Sequence, residues 1–118
     1  MRKPFFSVVI PTFNQCNYLK HALKSVADQK FSNYEIIVID NYSKDKTKSV
    51  VKKFKKKNII YKKIRNNGII SKSRNKGIQL SSGKWIAFLD SDDIWHKDKL
   101  QKIYEMISKK IFQVICND

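Results

Sequence analysis

Apolar residues in this chain switch between two spacings from one end to the other, and that alternation constrains the fold more than any other feature. Phe5 to Ile10 is a short β-rich run, broken by Pro11-Thr-Phe-Asn14. Between Asn17 and Gln29, the residues Leu19, Ala22, Leu23 and Val26 recur at helical steps. Glu35-Ile-Ile-Val-Ile39 is continuously apolar, as expected of a strand covered on both faces. Val50, Val51 and Phe54 then form one face of a second helix, with lysines opposite, and Asn58 to Tyr61 reads as a third strand. Ile70 to Leu80 predicts a third helix, stopped by Ser81-Ser-Gly83. Lys84 to Leu89 is a fourth strand that runs into Asp90-Ser-Asp-Asp93. Leu100, Ile103, Tyr104 and Ile107 mark a last helix, and Phe112 to Cys116 reads as a fifth strand. Strands that alternate with helices in this way predict an α/β fold, a mostly parallel sheet joined by right-handed crossovers.

A chain of 118 residues has room for one domain. Its hydrophobic content of 42% supports a core, and three Gly with two Pro exclude collagen-like and low-complexity classes. No apolar run approaches the roughly 20 residues that a membrane-spanning helix needs. The apolar stretch that follows Arg2 and Lys3 ends at Pro11, too short for a secretory signal. Cys16 and Cys116 lie far apart, which favours a reducing compartment and predicts a cytoplasmic chain. A fifth strand so close to Asp118 would leave an open sheet edge, and such an edge predicts self-association.

In open parallel sheets, ligands bind beyond the carboxyl ends of the strands. Thr12 and Asn14 follow the first strand, Asp40 and Asn41 the second, and Asp90, Asp92 and Asp93 the fourth. Three carboxylates within four residues of a chain of net charge +15 have two readings. Like charges held together raise one another's pKa, and a divalent cation such as Mg²⁺ or Mn²⁺ relieves them. Alternatively they cap the N-terminus of the helix that follows. The first strand carries no G-x-G-x-x-G, and the chain has no P-loop. Cys16, Cys116, His21 and His96 lack zinc-like spacing.

Taken in order, the motifs resemble those of family 2 glycosyltransferases. Ser7-Val-Val-Ile-Pro-Thr-Phe-Asn14 and Tyr34-Glu-Ile-Ile-Val-Ile-Asp-Asn-Tyr-Ser-Lys-Asp45 are similar to the opening of that family. Asn67-Gly68, with Ser73-Arg-Asn-Lys-Gly77, is similar to its third motif, and Gly83 to Trp95 to its D-x-D segment. The resemblance implies a glycosyltransferase A-type αβα sandwich and transfer of a sugar, with inversion, from a nucleotide-diphosphate donor. It further implies that Pro11, Thr12 and Asn14 line the nucleoside pocket, and that Asp40 contacts the base with Asn41 beside it. Arg74 would lie near the base and phosphates, Asp90 near the ribose with Ser91 next to it, and Asp92 would bind Mn²⁺ or Mg²⁺. A UDP-sugar is the expected donor, and a saccharide or lipid-linked molecule the acceptor, in cell-surface glycan synthesis.

Two departures from the family pattern stand out. Asn41 occupies a place where the family often has a second acid, which leaves the donor preference open. Family members also continue well past this length, so the expectation is a single nucleotide-sugar-binding domain over residues 1–118, without the acceptor half. The general base is then missing: Asp118 matches no motif, and Asp93 beside the metal is a weak substitute. Other readings remain: a donor-binding fragment that needs a partner, or a basic module that binds nucleic acid. For the latter no recognition motif is present, so no specific nucleic acid is expected. Lys52-Lys-Phe-Lys-Lys-Lys57 with Lys62 and Lys63 reads first as a solvated face with Phe54 turned inward, then as a contact with an anionic membrane surface. Trp85 reads as core, and Trp95 as core or as a lid over the donor.

Overall fold

The computed structural model describes residues 3–54 and 58–116, with side chains described as far as Lys110. Four strands, β1 (Phe6–Thr12), β2 (Tyr34–Asp40), β3 (Ile59–Lys63) and β4 (Trp85–Phe88), alternate with four helices. These are α1 (Cys16–Ala27), α2 (Thr47–Lys53), α3 (Ile70–Leu80) and α4 (Lys99–Cys116). All strand pairs are parallel, in the order β3-β2-β1-β4. The αβα expectation is met.

The two central strands alternate sides by their pleat. Phe6, Val8, Ile10, Ile36 and Val38 face a layer that contains Leu19, Leu23, Val51 and Leu100, so α1, α2 and α4 cover this side. Val9, Ile37 and Ile39 face the other, with Leu80 of α3 packed against them. Near-continuous burial of β1 and β2 follows directly from this double cover. On the α3 side the layers come unusually close, because a Cβ at Gly77 would stand 2.3 Å from Val9 Cγ1. At the other end of the sheet, Glu35 accepts 2.6 Å hydrogen bonds from Ser7 Oγ and Ser82 N, and Gly83 N donates to Ser7 Oγ. This buried network holds the α3–β4 turn, well away from the strand ends where ligands bind.

Three expectations need correction. Residues 112–116 belong to α4 and do not form a strand. The helical spacing of Leu100, Ile103, Tyr104 and Ile107 simply runs on through Ile111 and Val114, and it outweighs the β-branched composition. The expectation of self-association loses the edge on which it rested. Trp85 is also not core: it lies on the outermost strand and is half exposed. Finally, Pro11 does not end β1, which pairs with β2 as far as Thr12 and Asp40.

Phe54 does turn inward, and Trp95 packs against the α1/α4 side of the core, not over the strand ends. Lys55–Lys57 of the lysine run lie outside the described residues. Among the described residues, no helix is long and apolar enough to cross a membrane.

Candidate functional site

The chain runs from β1 outward through β2 to β3, then crosses back to β4 on the other flank of β1. The carboxyl ends of β1 and β4 therefore border the topological switch point, where a parallel sheet leaves a crevice. Here the crevice is deepened by unequal strand lengths. Pairing of β1 with β4 stops at Val9 and Phe88, with Leu89 N donating to Val9 O at 3.0 Å, whereas β1 continues to Thr12. Val9 and Pro11 direct their backbone to the same side, so Pro11 faces the gap beyond β4. A residue without an N–H loses nothing there, which explains a proline in a central strand.

A cleft of about 280 Å³ occupies this gap. The end of β1 contributes Pro11, Thr12, Phe13 and Gln15; the approach to α3 and its first turns contribute Asn66, Ile70 and Arg74; the turn after β4 contributes Asp90, Ser91 and Asp92. Arg74 Nη2 stands 3.3 Å from Asp90 Oδ1, and its guanidinium lies 5.7 Å from the centre of the Phe88 ring. Ser91, almost fully buried, donates its hydroxyl to Gln15 Oε1. Asn66 holds the loop that leads into α3: its N–H donates to Asn41 Oδ1 at 2.9 Å and its Nδ2 to Ser73 Oγ at 2.9 Å.

Thr12 Oγ1 and Arg74 Nε are buried without a hydrogen-bond partner among the described residues. Buried polar atoms are satisfied as a rule, and both of these belong to walls of the same cleft. A ligand with hydrogen-bonding oxygens would satisfy them. The carboxylate turn also resolves one ambiguity. Asp90–Asp93 cap no helix, because α4 opens only at Lys99. Asp93 N instead donates to Asp90 O at 2.9 Å, a tight turn that sets Asp90 and Asp92 on the lip of the cleft. Among the described residues, no three acidic, His or Cys side chains come together to hold a metal unaided. Two carboxylates completed by phosphate oxygens and water suit Mg²⁺ or Mn²⁺, so the donor set fits.

Six of the expected residues meet at the cleft: Pro11, Thr12, Arg74, Asp90, Ser91 and Asp92. Asn14, Asp40 and Asn41 stand behind its walls and brace them. Asp40 is almost completely buried, and its carboxylate accepts from Ser43 N at 2.9 Å, from Ser43 Oγ at 2.6 Å and from the Tyr61 hydroxyl. Burial first, and then the Asp40 carboxylate, push the Tyr61 phenol above its ordinary pKa. Asn14 takes a left-handed φ of 52°, tolerated well by Asn, and its Oδ1 accepts from Lys44 N at 2.7 Å. Sequence reasoning missed Phe13, Gln15, Asn66 and Ile70. Phe13, Gln15 and Asn66 adjoin or lie within the quoted motifs, but Ile70 carries no signal in the sequence.

Asp45 binds this end of the molecule together. Neither α1 nor α2 has a side-chain N-cap of its own; Asp45 accepts from Cys16 N at 3.0 Å and from Thr47 N at 3.1 Å, serving both helix ends at once. Desolvation, the largest single influence, pushes its pKa up, yet hydrogen bonds from Thr47 and Cys16 together hold it below the ordinary carboxylate range. A carboxyl lowered on folding stabilises the fold above its unfolded pKa of about 3.9, and that stability fades as pH falls through the folded value. Asp45→Asn is therefore expected to cost about 1 kcal/mol or less near pH 7, given its exposure. Urea titrations at falling pH should show the gap between variant and wild type closing in acid.

The comparisons with known proteins agree with the fold. The UDP-Glc:alpha-D-GlcNAc-diphosphoundecaprenol beta-1,3-glucosyltransferase WfgD of Escherichia coli is 34% identical over 103 residues, covering 87% of this chain and 41% of that protein. Staphylococcus aureus TarS 1-349, solved in complex with UDP-GlcNAc, superposes with a TM-score of 0.83 at 33% identity, covering 88% of this chain and 31% of that one. The mannosyltransferase PcManGT from Pyrobaculum calidifontis, solved with GDP-Man and Mn²⁺, has a TM-score of 0.75 at 20% identity and covers 85% of this chain and 31% of that one; it shares the fold. This chain thus spans less than half the length of these proteins. Since residues 7–117 match the family model, the chain belongs to glycosyl transferase family 2.

Proposed function

We propose that this domain binds a nucleotide-sugar, a UDP-sugar foremost, in the cleft between the ends of β1 and β4. In the whole protein it would serve inverting transfer to a saccharide or lipid-linked acceptor in cell-surface glycan synthesis, at the cytoplasmic face of a membrane. The observation that carries the reading is the pair of unpartnered buried atoms, Thr12 Oγ1 and Arg74 Nε, in the walls of one cleft with carboxylates on its lip. The choice of UDP is supported by TarS, which was solved with UDP-GlcNAc on the same fold at 33% identity.

The chemistry follows from the side chains. Arg74 meets anionic phosphate oxygens and is kept in place by Asp90 and by the Phe88 ring. Thr12 Oγ1 hydrogen-bonds the nucleoside or its phosphates, and Phe13 offers a half-exposed aromatic face to the base. Asp92, with Asp90, would hold Mn²⁺ or Mg²⁺; bound there, the ion offsets the charge that gathers on the diphosphate as the sugar departs. Asp40, Asn41 and Asn14 act at one remove in this reading, by fixing the loops that carry the pocket. The acceptor site and general base are assigned to other parts of the whole protein.

The test is thermal unfolding with UDP, GDP and dTDP, each with and without Mn²⁺. A ligand at 100 times its Kd adds about 2.7 kcal/mol. We expect a rise in Tm that needs both UDP and the metal, and that disappears in Asp92→Ala. No rise with any nucleotide contradicts the reading.

A further inference from the structure

The structure holds a second built surface, far in character from the donor cleft. Between α1 and α2 lies a groove of about 460 Å³. Its floor is apolar, with Leu23 fully buried and Ala27, Val50 and Phe54 half-buried. Its rim is basic: Lys20, Lys24, Lys46 and Lys53 are all exposed around it. Among the described residues, no carboxylate lines it. Asp28 and Asp45, which follow Ala27 and precede Lys46 of the lining, are already engaged, Asp28 by Lys24 Nζ at 2.7 Å and Asp45 by the amides of Cys16 and Thr47. Lys20, Lys46 and Lys53 have no ion-pair partner among the described residues. Cys16 and Thr47 open their helices at the carboxyl ends of the strands, so the groove reaches the same end of the molecule as the cleft.

We infer that this groove is the surface that docks on an anionic lipid bilayer, its lysines on headgroup phosphates and its apolar floor against lipid. Charge complementarity selects an anion, and the apolar floor selects an amphiphile over a simple ion. The ring of flexible lysine stems around an apolar slot is how interfacial surfaces place charge at headgroup depth. Nucleic acid fits less well: among the described lining residues there is no arginine fork, His21 is the one exposed ring, and Phe54 is half-buried. A protein helix would need anchors along several turns, whereas this volume is that of a single small-molecule site. The inference deepens the membrane placement proposed above, and is independent of the donor cleft.

Co-sedimentation with vesicles of phosphatidylcholine, with and without phosphatidylglycerol, tests it. Binding is expected only with phosphatidylglycerol. Each lysine near such a surface contributes roughly five-fold, so Lys20→Glu, Lys46→Glu and Lys53→Glu together should weaken partitioning at least 100-fold or so. Lys62→Glu with Lys63→Glu, on β3, reverses two charges elsewhere and should cost much less. The Lys→Gln versions of the rim, expected to fall in the same order, keep the test open if charge reversal unfolds the chain. Equal loss from the β3 pair would show that net charge alone drives binding and would overturn the groove. So would full competition by inorganic diphosphate, or tighter binding to single-stranded RNA than to the vesicles. The UDP-dependent rise in Tm should survive in the rim variants, so failure here and failure of the donor reading give different results.

Discussion

Replacing Gly77 with alanine should destabilise this domain by about 1–3 kcal/mol, although helix propensity alone would make the change stabilising by about 1 kcal/mol. The two effects have opposite signs, and the geometry decides between them. An added methyl would meet Val9 Cγ1 at 2.3 Å and Cγ2 at 3.0 Å, both on a central strand with no room to retreat. Either α3 lifts from the sheet or Val9 leaves its rotamer. Truncating the obstacle should relieve the clash. Val9→Ala costs stability by itself, but with Gly77→Ala the double variant should be more stable than the sum of the two losses. Strict additivity in urea titrations would mean that α3 and β1 do not touch as described.

Arg74→Ala should leave stability nearly unchanged while weakening nucleotide binding by roughly 10- to 100-fold. The ion pair with Asp90 is half exposed on both sides, so its loss costs little in the free protein. Ligand binding is different, since the guanidinium is the cation that the described cleft walls offer to a diphosphate. Lys at this position should restore the charge but little of the affinity, because a fork that meets two oxygens becomes a point charge. Calorimetric titration of UDP with Mg²⁺ into the three proteins checks this. A variant that binds as tightly as wild type would remove Arg74 from the site.

Much of this architecture was legible from the sequence because the signals were redundant. Each of the four strands is a concentrated apolar run, and α1 and α2 each have their stripe, so small errors at the ends do not alter the topology. Phe112 to Cys116 departs from expectation because its β-branched residues favour a strand locally, whereas the helical spacing that they continue prevails. Pro11 ends no strand because β4 stops early and leaves its missing N–H unneeded, a circumstance that no local pattern signals. For the site, residues next to the strand ends could be named in advance, because the rule of the switch point needs only strand order. What no pattern showed was the division of labour. Asp40 and Asn41 carry the same chemical groups as residues that line the cleft, yet Tyr61, Ser43 and Asn66, distant or unremarkable in sequence, turn them into braces. Gln15 likewise acquires its role from Ser91, across the turn that follows β4.

On the proposed function, a nucleotide diphosphate and a divalent ion occupy the cleft between β1 and β4. Amide-resolved NMR tests it most directly, with UDP and Mg²⁺ titrated first and trace Mn²⁺ added as a paramagnetic probe. Saturable shifts are expected at Thr12, Phe13, Asn66 and Arg74, with broadening centred on Asp90–Asp92. Shifts confined to the lysine-rich faces, or broadening centred away from that turn, would contradict it.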